Sequence, residues 1–140
     1  MVLAVGAKAL RRRRDQLRDS ADAISSDSGL GDVATVCLLL FYATECGLKE
    51  RLLVRHGHRD SSLLEPTHDL RRLAKQLGLP RALGARLDRL QSCKLHPSTR
   101  GTLALADLHQ AWRYGARLDA ADEKEAQDAL RALISWCEQD

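Results

Sequence analysis

Eight consecutive apolar residues, Val36 to Ala43, run without interruption toward Glu45 and Lys49. A run that long within a helical pattern predicts a helix buried on nearly all sides. Glu45 and Lys49 stand four apart in the favoured order, so the rod predicted around 32–56 ends on a charged couple. Asp32 can cap its start and Gly57 can stop it. A rod of this kind needs partners to wrap it, and the rest of the sequence supplies them.

No segment shows convincing two-residue alternation, while three-to-four-residue periodicity appears almost throughout. A first helix is predicted over about Leu3–Ile24, with Leu3, Ala7, Leu10, Leu17, Ala21 and Ile24 inward. Arg14 interrupts that series, and Ser25 to Gly29 carries turn chemistry. Thr67 is a good N-cap for a third helix burying Leu70, Leu73, Ala74 and Leu77, and Gly78-Leu79-Pro80 is a strong stop. Further segments follow over Arg81–Gln91 and about Leu103–Tyr114. The stretch between them, Ser92 to Gly101, is the least regular. Asp119 caps a last helix running to about Glu138. The fold class is therefore all-α, an up-and-down bundle of four to five helices in one domain over 1–140. The helices near 32–56, at the start, after Thr67 and at the end should form the main bundle, with Arg81–Tyr114 accessory.

The chain has a net charge of +3, and Arg supplies seventeen of its 22 cations. That permits an anionic partner without requiring one. Cys37, Cys46, Cys93 and Cys137 are far apart with no Cys-x-x-Cys pair, which predicts free core thiols in a reducing cytoplasm. No segment reaches the length of a membrane span. The apolar N-terminus is too short for a signal peptide, and its basic cluster lies on the wrong side. These features predict a cytoplasmic protein without membrane contact.

Several side chains carry two readings. Glu45 and Lys49 make either a half-buried structural ion pair or a polar patch in which Glu45 orients a His or an Arg. His68, at a helix start, either caps a loop or stands near Glu45 as a proton-carrying imidazole. Trp112 packs, Arg113 pairs with a carboxylate such as Glu45, and Arg113-Tyr114 could instead meet a nucleobase. Arg11, Arg12, Arg13 and Arg14 form either a solvated face or a contact for nucleic acid or an acidic partner. His56 and His58 lack a nearby Cys or carboxylate pair, so no metal site is predicted. Gly29-x-Gly31 is only a turn, with no glycine-rich phosphate loop and no nucleophile elbow elsewhere. No cofactor is predicted.

Tyr42-Ala43-Thr44-Glu45-Cys46-Gly47-Leu48-Lys49, then Thr67-His68-Asp69-Leu70, then Trp112-Arg113-Tyr114 resembles the HEPN superfamily of small helical domains. Many of its members show an A-x-E-x-x-L-K core helix, a T-H-D-L helix start and an R-Y segment in that order. The resemblance implies a four-to-five-helix fold and a homodimer or a subunit of a larger complex. It implies a setting in bacterial toxin–antitoxin or antiviral defence systems, where RNA and a nucleotidyltransferase-type or other defence partner are expected. Some members are metal-independent endoribonucleases using an Arg and a His four to six residues apart across a dimer cleft. By spacing, Arg51 with His56 or His58, and Arg89 with His96, qualify here, though about two such matches arise by chance. Position in the chain selects Arg89 and His96 as the catalytic candidates. Leu90 after the Arg and Pro97 after the His depart from the family pattern. The expected role is binding, by a small subunit that self-associates and docks to a larger partner or to RNA. The alternatives are the endoribonuclease and a purely structural assembly subunit.

Overall fold

The computed structural model describes residues 3–26, 32–97 and 101–139. Six helices account for most of them: α1 (Ala7–Ser26), α2 (Val33–His56), α3 (Leu70–Lys75), α4 (Arg81–Asp88), α5 (Leu108–Arg113) and α6 (Ala120–Glu138). The turn expected after Ser26, with the Gly29-x-Gly31 stretch, lies outside the described residues, as does the centre of the irregular loop before Gly101.

The predicted central rod is present. Asp32 accepts a hydrogen bond from the Ala34 N–H at its start, and Gly57 closes it in the left-handed conformation at φ 64°. Val36, Cys37, Leu40, Phe41, Ala43, Thr44, Gly47 and Leu48 are all buried. Those positions span several faces of a helix, so α2 is covered on more than one side. α1 lies along it, α6, α5 and α3 also pack against it, and α4 leans on α6. Leu17 and Ala21 from α1 and Ala126, Leu130 and Leu133 from α6 join α2 in one core.

This is a helical bundle of three long and three short helices. Of the four helices expected to form the main bundle, the one after Thr67 is shorter than expected. α3 has six residues and begins at Leu70, because Asp69 rather than Thr67 caps it by accepting from the Arg72 N–H. Thr67 instead accepts from the Asp69 N–H and braces the approach. α1 starts at Ala7 rather than Leu3. Val5 exchanges backbone and side-chain hydrogen bonds with Ser61, which holds the chain extended there, and Leu3 is exposed.

A small β-ribbon also departs from the all-helical expectation. β1 (Cys93–Lys94) pairs antiparallel with β2 (Thr102–Leu103), and Leu95 bridges to Leu118. Two-residue strands carry no periodicity to read.

Arg14 does not interrupt the inner stripe of α1. It occupies a place in it, 6% exposed, between buried Leu10 and Leu17. Its Nη1 donates to the Cys137 carbonyl at 3.3 Å in the last turn of α6, and its Nε donates to Asp15 at 2.9 Å. A cation there suits the negative end of the α6 dipole. The arginine stem fits because α2 presents Gly47 at this level. A Cβ on Gly47 would lie 3.1 Å from Arg14 Cδ and from both Cβ and Sγ of Cys137. Three helices therefore meet at one glycine.

Candidate functional site

Tyr42, Glu45 and Lys49 recur every three to four residues on α2 and share a face. Opposite them run the extended segment before α3 and the short helix α5. The Thr67 and Asp69 hydrogen bonds shape that segment and set His68 over α2. His68 Nδ1 lies 2.7 Å from Glu45 Oε1, while Lys49 Nζ donates to Glu45 Oε2 at 3.1 Å. One carboxylate thus serves two partners, one on each oxygen. The Glu45 and Lys49 side chains are mostly buried, at 12% and 17% exposure, and the His68 ring is more than half exposed. Glu45 therefore makes an ion pair with Lys49 and a contact with His68.

α5 contributes His109 and Arg113, one turn apart. The His109 ring lies 5.2 Å from that of His68 and 5.0 Å from Phe41, centroid to centroid. It is buried, and its Nδ1 has no hydrogen-bond partner. Burial first, then the neighbouring His68 and Arg113, push its pKa below the ordinary histidine value; Glu45 works against them. His109 is therefore neutral at neutral pH. Sequence reasoning missed this residue. The signal was available, because position 109 falls four after buried Leu105 and three before buried Trp112.

Arg113 turns to Tyr42 rather than to Glu45. Its Nη2 donates to the Tyr42 hydroxyl at 2.8 Å, which holds the guanidinium at the surface. Tyr114, next to it, is 83% exposed. The structure thus places Tyr42, Glu45, Lys49, His68, His109, Arg113 and Tyr114 along α5 and the α2 face it covers. Arg113 and Lys49 against Glu45 leave the patch net positive. It can hold an anion and offer an aromatic face.

The other candidates stand elsewhere. Arg89, at the end of α4, donates through Nε and Nη2 to Glu125 of α6, each at 3.3 Å. His96 is exposed after β1, its backbone N–H bonded to the Arg117 carbonyl. Among the described residues no hydrogen bond or ion pair joins Arg89 to His96. In the basic run, Arg12 and Arg13 are exposed, and Arg11 donates to the buried Glu50 at 2.8 Å. The expected contact of Arg11–Arg14 with nucleic acid or an acidic partner is corrected at Arg14, which is enclosed by helices and reaches no outside ligand.

The four cysteines are free thiols. Burial pushes Cys37 and Cys137 up to about 12 and Cys46 and Cys93 up to about 11, which leaves them unreactive near neutral pH. Among the described residues no group of three His, Cys, Asp or Glu side chains could hold a metal ion, and no helix is long and apolar enough to cross a membrane.

The fold and site define a small helical-bundle protein with a polar patch between α2, the α3 approach and α5. No protein-family model matches the chain, and no curated protein or solved structure matches it either.

Proposed function

We propose that this chain is a HEPN-like helical subunit that binds single-stranded RNA through the patch around Arg113 and Tyr114. The observation that carries the reading is Tyr114. It is 83% exposed beside an arginine that a tyrosine hydroxyl fixes in place. An exposed aromatic face next to a planar cation is the pairing that takes a base and its phosphate together. Lys49 and His68 extend the polar surface beside it. Following the family resemblance, the subunit works as a homodimer or within a larger assembly of a bacterial defence or toxin–antitoxin system.

Fluorescence anisotropy with a labelled single-stranded RNA tests this. Arg113→Ala and Tyr114→Ala are each expected to weaken binding by roughly 5- to 50-fold, in line with the value of one stacked base. If both variants bind like the unmodified protein, the patch is not the RNA site.

A second reading, metal-independent RNA cleavage, gains from the same patch rather than from Arg89 and His96. His68, more than half exposed and set 2.7 Å from Glu45, is the imidazole of the patch that can reach a bound RNA. RNA incubated with the protein in EDTA decides between the two sites. Cleavage lost in His68→Ala and kept in His96→Ala assigns it to the patch, and the reverse assigns it to the Arg89–His96 pair. No cleavage by the unmodified chain removes the enzymatic reading for the isolated subunit.

A further inference from the structure

Away from that patch, α3 and α4 enclose a groove of about 270 Å³. Its floor is aliphatic: Ala74, Leu79 and Leu87. Arg71 and Lys75 stand on the α3 wall, and Asp88 on the α4 wall accepts from Arg71 Nε at 2.9 Å. Gly84 opens the α4 side.

Gly84 is the informative residue. It sits inside a helix with no turn to make, and a glycine there weakens the helix relative to alanine. No packing excuses it, because a Cβ at this position would meet nothing within 4 Å. Gly47 is the contrast, since its missing Cβ makes room for Arg14 and Cys137. The space above Gly84 is left open by the fold itself.

The charge around the groove is lopsided. Around it stand Arg71, Arg72, Lys75, Arg81, Arg86 and Arg89 against Asp69, Asp88, Glu65 and Glu125, an excess of cations. Four of those cations already hold carboxylates or a carbonyl at the rim: Asp88, Glu65, the Asp128 carbonyl and Glu125. The floor has no aromatic side chain on which a base could stack. An aliphatic floor under a positive rim, with one wall cleared of a side chain, matches an acidic amphipathic helix. Its leucine-type residues would enter over Gly84, and its carboxylates would face Arg71 and Lys75. The Arg71–Asp88 bridge is exposed on both sides, so exchanging Asp88 for a partner carboxylate is cheap.

We propose that the α3–α4 groove is a docking site for an acidic amphipathic helix of a partner protein. The partner's backbone passes close over Gly84, and the positive rim selects its charge.

The test is a displayed library of helical peptides of about fifteen residues, selected against the full chain. The expected winners carry Leu-type residues at helical spacing with Asp or Glu flanking them. Their binding should fall at least tenfold against Gly84→Leu, which fills the opening, and against Lys75→Glu. Thermal denaturation checks that Gly84→Leu stays folded, and RNA binding by that variant should be unchanged. Lys75→Glu supplies an independent readout because it alters charge without filling space. No enrichment, enrichment of basic peptides, or winners that bind Gly84→Leu as tightly as the unmodified protein would each overturn the proposal. Loss of RNA binding in Gly84→Leu would assign the groove to nucleic acid instead and overturn it equally.

Discussion

Arg14 shows how one polar side chain can belong to a core. Its charge is met by the Cys137 carbonyl and Asp15, and its stem fills the space that Gly47 leaves. Gly47→Ala would force a methyl against both neighbours, and overpacking of this kind costs about 1–3 kcal/mol. Urea denaturation should show that loss with little change in the m-value. His109 gives the complementary case, a buried base held neutral. Above the ordinary histidine value of 6.5 neither the folded nor the unfolded chain protonates it. As pH falls below 6.5, the unfolded chain takes a proton that the folded site resists, so stability declines toward acid pH. Stability measured from pH 8 to 5 should fall in the unmodified protein and fall less in His109→Leu. Both residues were hard to read from sequence for one reason. A polar residue in an apolar stripe looks like an interruption, although the helical spacing of Leu10, Leu17, Leu105 and Trp112 places each of them inside. The pairing of Glu45 with Lys49 was legible because it lies within one helix. The contact with His68 was legible only as a neighbourhood, and the Tyr42–Arg113 bond was not legible, because it joins residues 71 apart.

Helices announce themselves by their ends, and here the ends decide what was recoverable. Asp32, Gly57 and Asp119 act where cap chemistry placed them. The short elements were overdrawn instead. The stretch from Leu103 to Tyr114 divides into a 3₁₀ turn, Leu105–Asp107, and the single short helix α5. The periodic signal is the same for a turn and a half as for three turns, so length is what it reports worst. Two glycines test the elements in opposite directions. Gly57 is in the left-handed region, and Gly57→Ala should lower stability by about 1–2 kcal/mol. Gly84 has an ordinary helical backbone and open space around it, so Gly84→Ala should raise stability by about 0.5–1 kcal/mol. Melting temperatures of the two variants should move to opposite sides of the unmodified protein.

At the scale of the molecule, two faces carry different chemistry. The α2–α5 patch offers an aromatic and a fixed guanidinium, and the α3–α4 groove offers aliphatic surface under positive charge. They should be separable. Arg113→Ala with Tyr114→Ala should weaken RNA binding and leave peptide binding intact, and Gly84→Leu should do the reverse. RNA affinity should also fall roughly 3- to 7-fold between 50 and 200 mM salt, the counterion release of one or two phosphate contacts. The architecture was readable at the level of a buried rod with helices around it. The groove was not, because what makes it is an absent side chain on one short helix facing another.

The grip of α1 on the final turn of α6 has a consequence for how the polypeptide matures. The two residues of the Arg14–Cys137 contact are 123 positions apart, and Arg18 reaches Glu138 beside it. Until that distant turn is made, the Arg14 guanidinium has Asp15 but lacks the Cys137 carbonyl. Chains halted before Cys137 should therefore keep α1 packed on α2 but lack its tie to α6, and limited proteolysis should cut α1 faster in them than in the full chain.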